Sequence, residues 1–503
     1  MKQMKKILLA LSVALISVSC SEWLYVTPFD SLEKDHIYKN ERGANSALNG
    51  LYLMLAGDNL YGKELSVGMI EILGQNFAVS ASTGTYEHRY HQLSQYDYSK
   101  DNSKAILKNV FTAAYKAIAN CNEFLESVQA SKSVFSQASY DLYMGEAIAV
   151  RTMLHFDMLR LFGPNPANFG KPSVPYYNIS TDIPQPILPA DQLLDQLIAD
   201  IDEAIGYLKN DPILTEGLNS SVENATHTDF FKSFRNMHMN YYGAYAIKAR
   251  MCLYKGTPEG KAEAYDIATC LLEGIDPGSY SESTNFKEVF HFQAKNLVEA
   301  RFKVFYPEVL FGIHNSRLAE IHKNMFSADL TSQYLMTAGP KFWDRLYVSG
   351  PAGNDGNGAG LRKEMWVQDN TRNAYLFTRI APGFTDDYHP YHHQFQGIMR
   401  IGELYLIASE TAPDLATKRF WLEQMRNGKG YDPGNANGLN DAQLDEVIQC
   451  ELRKDTYGEG QYFFFAKRKT LSAFYNQANA NMSMSAGKYV LPLPEVETDF
   501  RTE

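Results

Sequence analysis

The sequence predicts a mostly α-helical protein made of packed helix pairs, with an irregular, loop-rich second lobe that contains a few short strands. Two observations predict the helices: apolar residues recur every three to four positions over long segments, and small residues occupy positions where helices would touch. A third observation predicts the lobe, because the helical period mostly disappears between residues 278 and 397 and a glycine-rich loop appears there.

The clearest helix runs from Tyr140 to Phe162, and we expect the rest of the chain to pack around it. Its apolar residues step by threes and fours and predict one buried stripe: Tyr140, Tyr143, Ala147, Val150, Leu154, Met158 and Leu161. Gly163 and Pro164 predict its end, since glycine releases the backbone and proline cannot continue the hydrogen-bond ladder. Gly145 carries no side chain, so a neighbouring helix can approach closely there.

Helical periods of the same kind recur along the chain. They cover residues 44–55, 104–128, 193–208, 239–254, 260–273, 398–411 and 415–427. The pair 239–254 and 260–273 is the clearest helical hairpin, hinged at Gly256 and Pro258, and it loosely fits a tetratricopeptide unit of about 34 residues. Residues 57–102 break the period and predict a long inserted loop.

The first 19 residues have the pattern of a secretory signal peptide. Lysines at the start precede the apolar run Ile7–Val18, which is too short to span a bilayer, and Cys20 follows the small residue Ser19. We interpret this as a bacterial lipoprotein signal, cleaved so that Cys20 becomes the lipidated first residue and residues 20–35 form a tether. The alternative is an ordinary cleaved signal in which Cys20 is incidental.

The charge of the chain argues against nucleic acid as a partner. The formal net charge is −11, and loss of residues 1–19 removes three lysines and no acid, which leaves 44 basic and 58 acidic side chains, or −14. An acidic surface repels phosphate backbones, so we expect a partner of another class.

Four cysteines remain after the signal: Cys121, Cys252, Cys270 and Cys450. They lie on predicted apolar helix faces without the close spacing of a metal site, and we expect buried free thiols. The alternative is a disulfide between Cys252 and Cys270, which fall on the two adjacent helices of one predicted hairpin.

Several blocks of the chain, in order, resemble motifs of one protein family. They are the opening Cys20 to Pro28, the helix Glu146 to Pro164 with Arg151, Phe156, Asp157 and Arg160, the late helices Glu403–Glu410 and Glu451–Gly460, and the closing Tyr489–Glu497. Together they resemble the SusD/RagB family of outer-membrane lipoproteins. The chain places Tyr462 and Phe465 where that family often has Arg and Asp, so it resembles a divergent member.

The resemblance implies both a fold and a function. The fold would be a superhelix of four tetratricopeptide-like helix pairs supporting a ligand-binding lobe. The protein would sit at the cell surface, held in the outer membrane by its lipid, and would close over a SusC-like TonB-dependent β-barrel transporter. It would capture oligosaccharide for uptake without cleaving it and without a cofactor.

These observations give a domain organisation for the whole chain. It comprises a signal peptide at 1–19, a tether at 20–35, a helical scaffold at 36–277 with the inserted loop 57–102, a ligand-binding lobe at 278–397, and C-terminal helices returning to the scaffold at 398–503.

Candidate ligand-binding residues are aromatic side chains of the irregular segments with polar neighbours. The aromatic candidates are Tyr86, Tyr90, Trp343, Tyr347 and Trp366, with Tyr388 as a further member, and the polar candidates are Asn76, Arg89 and Asn370. Sugar rings stack their C–H faces on Trp and Tyr, while amide and guanidinium groups bond the hydroxyls. The alternative for each aromatic is packing inside the lobe.

The sequence contains no HExxH, GxSxG or Walker phosphate motif. His389, His392 and His393 are spaced for a metal, but no cysteine or clear helix fixes them, so we expect a solvated or hydrogen-bonded cluster and no metal. Three alternatives to glycan capture stay open: a peptide-binding lipoprotein on the same scaffold, an extracellular hydrolase with a carboxylate pair that spacing does not identify, and a pure assembly scaffold.

Overall fold

The computed structural model describes residues 37–80, 87–218, 230–281, 284–293, 304–349, 361–382, 394–431, 434 and 436–499. Several predictions fall outside these residues: the signal peptide, Cys20, the tether, Tyr86, Tyr388, His389, His392 and His393. The described part is mostly helical with a few short strands, so the predicted fold class is confirmed.

The helices vary from single turns to a rod of 30 residues. They are α1 (Glu41–Leu55), α2 (Met69–Leu73), α3 (His91–Ser94), α4 (Asp101–Ala130), α5 (Gln137–Phe162), α6 (Ala190–Leu208), α7 (Ile213–Glu216), α8 (Tyr241–Lys255), α9 (Pro258–Glu273), α10 (Phe286–Val289), α11 (Leu318–Met325), α12 (Pro340–Asp344), α13 (Ile401–Glu410), α14 (Leu415–Gly428), α15 (Asp441–Asp455), α16 (Gln461–Arg468), α17 (Ala486–Tyr489) and α18 (Glu495–Thr498).

The long helices pack in a continuous series. Helix α4 packs on α5, α5 on α6, α6 on α8, α8 on α9, α9 on α13, and α13 on α14. Each helix therefore contacts the one before and the one after it, which is the tetratricopeptide-like arrangement. Segments remote in sequence join the series, because α13 packs against α9 although more than 100 residues separate them.

Helix α5 lies between α4 and α6 in this series. The side chain of Ser136 caps its first turn by accepting from the Ser139 amide, and Gly163 ends it where the sequence predicted. A Cβ at Gly145 would lie 2.6 Å from the Leu208 side chain, so α6 does approach closely at this glycine. The prediction of a single buried stripe was too narrow, because nearly every residue from Ser139 to Phe162 is buried.

The carboxyl end of α5 is closed by a lysine from α16. The ammonium of Lys467 is fully buried and donates to the carbonyls of Arg160, Leu161 and Gly163 at 2.7, 3.2 and 2.7 Å. Helix ends leave such carbonyls without partners, and one lysine has three N–H donors to satisfy them. This contact fixes α16 against α5.

The strands of the described residues form four two-stranded antiparallel sheets. They are β1 (Pro172–Pro175) with β2 (Ile187–Pro189), β3 (Val309–His314) with β6 (Phe395–Arg400), β4 (Trp366–Asp369) with β5 (Ala374–Phe377), and β7 (Ala473–Tyr475) with β8 (Asn481–Ser483). The β3–β6 pair brackets most of the second lobe and leads straight into α13, so it attaches the lobe to the helices.

The cysteines are free thiols. Cys121, Cys252 and Cys270 are buried, and Cys450 is partly buried. The alternative of a Cys252–Cys270 disulfide is therefore not what the structure contains. Burial raises the pKa of the Cys121 thiol to about 12, which keeps it protonated and unreactive.

Candidate ligand-binding surface

Helix α12 starts the most prominent aromatic feature of the lobe. Pro340 occupies its first position, and the Gly339 amide before it donates to Gln477 Oε1 at 2.7 Å. A π-helical turn, Arg345–Ser349, continues the helix. Trp343 and Tyr347 are four residues apart and so lie on the same side, with ring centroids 5.1 Å apart.

The hairpin of β4 and β5 adds the next ring. Tyr375 stacks on Trp343 with centroids 4.1 Å apart and planes inclined by 7°. Backbone bonds between Ala338 and Tyr375, both 2.9 Å, hold the hairpin beside α12. On the inner side, the Trp366 indole N–H donates to the Tyr347 hydroxyl at 3.0 Å.

These four rings form a column that runs from the core to the surface. Trp366 and Tyr347 are buried, and Trp366 packs edge-on against the buried ring of Tyr457 at 4.7 Å. Trp343 and Tyr375 are partly exposed at the outer end. We call Trp343 and Tyr375 the platform, because a flat ring supported from behind can offer a rigid stacking surface.

Polar side chains surround the platform. Residues directly opposite each other in an antiparallel hairpin have their side chains on the same face. The exposed Gln368 is paired with Tyr375 and therefore lies on the platform side. Burial raises the pKa of the Tyr375 phenol, and the negative charge of Asp344 raises it further. Asp344 also accepts from the Ser349 hydroxyl at 2.6 Å. The platform therefore has an amide, a carboxylate and hydroxyls beside it.

The candidates from the first loop segment lie beneath the surface. Asn76 is buried, donates to Glu71, and accepts from Arg453 Nε at 2.6 Å. Tyr90 is buried and its hydroxyl donates to Glu64. These contacts favour a packing role at both positions, and their ligand-binding role stays a prediction.

Arg89 differs from these two, because about half of its side chain is exposed. Its guanidinium pairs with Glu64 at 2.9 Å. Partial burial lowers the pKa of Arg89, but the electrostatic effects of Tyr90 and Glu64 are larger and raise it overall. Asn370, in the turn between β4 and β5, is exposed.

Sequence reasoning missed Tyr375, Gln368 and Asp344. The signal for the first two was present: two short alternating segments flank the polar residues 370–373, the pattern of a hairpin that places residue 368 opposite 375. The electrostatic influence of Asp344 on Tyr375 depends on how α12 meets this hairpin, which no local pattern encodes.

A wide groove lies elsewhere on the described residues. It has a volume of about 710 Å³ and lies between the start of α4 and residues 487–499. Aliphatic side chains and prolines, such as Val490, Pro492 and Val496, form most of its lining. Tyr98 is its sole aromatic, so it offers little for sugar stacking.

Within the described ranges, no group of three or more His, Cys, Asp or Glu side chains is arranged to hold a metal ion. Among the helices of those same ranges, none combines the length and apolarity needed to cross a bilayer.

Comparison with known sequences gives one family. Residues 30–226 match a SusD-like family described as starch-binding and associating with the outer membrane. Comparison with curated proteins finds no match.

Solved structures share the fold along nearly the whole chain. A SusD superfamily protein from Bacteroides thetaiotaomicron is 19% identical, with 92% of this chain and 98% of that chain covered and a TM-score of 0.69. A putative sugar-binding protein from Bacteroides vulgatus is 19% identical, with 92% and 96% covered and a TM-score of 0.67. Surface glycan-binding protein A from Bacteroides thetaiotaomicron, in complex with laminarihexaose, is 14% identical, with 91% and 97% covered and a TM-score of 0.63.

The family match includes the α5 helix, which is one of the blocks that resemble the SusD/RagB family. On these findings, residues 30–226 match a SusD-like family, and the chain shares its fold with solved SusD superfamily proteins.

Proposed function

We propose that this protein is a glycan-binding lipoprotein of the outer membrane, which captures oligosaccharide and passes it to a SusC-like TonB-dependent transporter. The observation that carries the proposal is the platform of Trp343 and Tyr375 at the outer end of a buried ring column. Capture next to a transporter pore would raise the local concentration of ligand there.

The platform has the physical requirements for sugar stacking. A sugar presents flat C–H faces, and packing one of them on an aromatic ring buries apolar area, which contributes roughly 25 cal/mol per Å². Tyr347 and Trp366 support the platform from behind, so little side-chain freedom is lost on binding. Gln368 and Asp344 are placed to bond hydroxyl groups at its edge.

The relatives support the same class of ligand. One is called a sugar-binding protein, and another was solved with laminarihexaose. Binding alone is proposed, without cleavage or cofactor, because the platform brings stacking and hydrogen-bonding groups together and the comparisons indicate no catalytic family.

The test is a panel of oligosaccharides and peptides titrated calorimetrically against the full chain. We expect binding to glycans. Tyr375→Ala should weaken it about tenfold through loss of the stacking ring, and Trp343→Ala should weaken it by a similar factor because it removes the ring on which Tyr375 stacks. Phe420→Ala is the matched control, since Phe420 is an exposed aromatic on α14. Binding of peptides alone, or release of shortened products from polysaccharide, would overturn the proposal in favour of the corresponding alternative.

The anchor and the transporter need separate tests. In cells, Cys20→Ser should release the protein from the membrane fraction. Cys20 would carry the acyl chains, and stable anchoring needs two or more of them. Purification of the wild-type protein in mild detergent should recover a β-barrel partner. A Cys20→Ser protein that stays in the membrane fraction would contradict lipid anchoring.

A further inference from the structure

A second surface feature lies on the other side of α12 from the platform. It is a cleft of about 190 Å³ between α12, α15, α16 and the β7–β8 hairpin. The residues that define its chemistry are Phe342, Arg345, Glu446, Arg453, Tyr462 and Tyr475. Drug-sized ligands occupy pockets of about 300–1,000 Å³, so this cleft suits a single ring.

The inner wall of the cleft carries a buried positive charge. The guanidinium of Arg453 lies between the rings of Phe342 and Tyr462, at 4.4 and 4.1 Å from their centroids. Its N–H groups donate to neutral oxygens: Asn76 Oδ1 and the carbonyls of Gly74, Gln75 and Tyr475. Among the described residues, no carboxylate pairs with it within 4.0 Å, and Glu71 is linked to it through the Asn76 amide.

The mouth of the cleft carries a second guanidinium. Arg345 lies 3.5 Å above the centroid of Tyr475 and pairs with Glu446 at 3.3 Å. About a quarter of the Arg345 side chain and nearly half of the Glu446 side chain are exposed. Exposed pairs of this kind contribute about 0–1 kcal/mol, so a ligand carboxylate can replace Glu446 at little cost.

The sign of this charge is unusual for the chain. The protein carries a net charge of −11, yet the cleft combines Arg345 and Arg453 with the single acid Glu446. Aromatic walls together with a guanidinium match a ring that bears a carboxylate, since planar guanidinium groups bind carboxylates through two parallel hydrogen bonds.

We propose that the cleft binds one uronic acid residue of the glycan that stacks on the platform. The inference rests on the proposed function, because it requires glycan binding at the platform. Trp343 lies on α12, and Arg345 is the first residue of the π-helical turn that continues it, two positions further on. One oligosaccharide crossing this helical segment can therefore reach both features. Arg345 would bind the sugar carboxylate, and the positive charge of Arg453 would favour it from behind.

The test compares uronic acid oligosaccharides with their own methyl esters, which keep the ring and remove the charge. The probes are galacturonan, glucuronan and mannuronan oligomers, titrated against the full chain. We expect at least one acid form to bind about tenfold more tightly than its ester, with an affinity that falls as salt rises. Arg345→Met should remove most of the difference, and Arg345→Lys should restore part of it.

The controls separate this inference from the proposed function. Trp343→Ala should weaken the acid and the ester by the same factor, and Phe420→Ala should change neither. If acid and ester bind equally and both depend on Trp343, the uronate inference is overturned while glycan capture stands. If no glycan of any charge binds, both fall. An acid preference that survives undiminished in Arg345→Met would also reject the cleft.

Discussion

The buried ion network beneath the lobe and the exposed edge at α12 use the same residue types for opposite purposes. In the network, Lys429 pairs with Asp455 at 2.7 Å, and Arg400 pairs with Glu308 at 3.0 Å and with Asp455 at 3.2 Å. All four side chains are buried. Glu308 precedes β3 and Arg400 ends β6. Lys429 follows α14 and Asp455 ends α15, so the network ties the lobe to the scaffold.

The pair Arg345–Glu446 at α12 has similar chemistry but stays in contact with water. Its partners can exchange for a ligand, whereas the partners of a buried charge cannot leave without a large cost. The comparison teaches that burial decides the role of an ion pair. The predictions that follow test that difference, from the largest expected effect to the smallest.

The largest effect is expected for Asp455→Asn in the network. The change leaves Arg400 and Lys429 buried with too little negative charge, and breaking a buried pair in this way costs about 3–5 kcal/mol. Chemical denaturation measures the loss of unfolding free energy. A change below about 1 kcal/mol would show that the network does not attach the lobe.

The next largest effect on stability is expected when the pH is lowered, because acid protonates buried carboxylates. Burial opposes the charge of Glu146, but Arg235 and His238 outweigh it and lower its pKa from 4.5 to about 2. Burial likewise opposes the charge of Glu451, whose pKa is lowered to about 2 by Lys454 and Arg362.

Between pH 4.5 and 2 the unfolded chain therefore binds more protons than the folded one, and stability falls as pH falls. Each carboxylate accounts for a loss on the order of 3 kcal/mol over that range. Denaturation at a series of pH values measures it. Glu146→Gln should flatten the slope by about one proton, and an unchanged slope would contradict the assignment.

A smaller effect is expected inside the ring column. Tyr347→Phe removes the hydroxyl that accepts from the Trp366 indole and leaves a buried N–H unpaired, at a cost of about 1–3 kcal/mol. The platform itself is unchanged, so glycan affinity should fall far less than in Trp343→Ala. Equal losses of affinity in the two variants would mean that stacking at the outer end does not decide binding.

The smallest effect on stability is expected for Glu446→Gln, the exposed counterpart of Asp455→Asn on the same helix. Unfolding free energy should change by less than about 0.5 kcal/mol. Affinity for the preferred uronate should rise about two- to fivefold, since the amide no longer competes with the ligand for Arg345. Reduced uronate affinity would mean that Glu446 helps to hold Arg345 in place.

The helical scaffold was largely predictable from local pattern. The end of α5 at Gly163, the hairpin of α8 and α9, and the close approach at Gly145 all follow from spacing, caps and side-chain size. The partners of polar residues on α5 were not predictable. Glu146 bonds Arg235, which lies 89 residues further on, because the fold surrounds the helix on every side.

The candidate site divides in the same way. Composition identified Trp343 as an aromatic of the irregular lobe, but packing against the hairpin decided that Trp343 reaches the surface while Tyr347 and Trp366 are buried. Tyr375 becomes part of the platform through its backbone bonds to Ala338 and its stacking on Trp343.

The sequence by itself determined the helices, because the period of apolar residues and the breaks at glycine and proline act over a few neighbouring positions. The tertiary structure alone decided which charges and rings face water. Exposure depends on contacts between segments that are tens to hundreds of residues apart in sequence. The neighbouring residues of an arginine or a tyrosine therefore do not indicate whether its side chain will be buried or exposed.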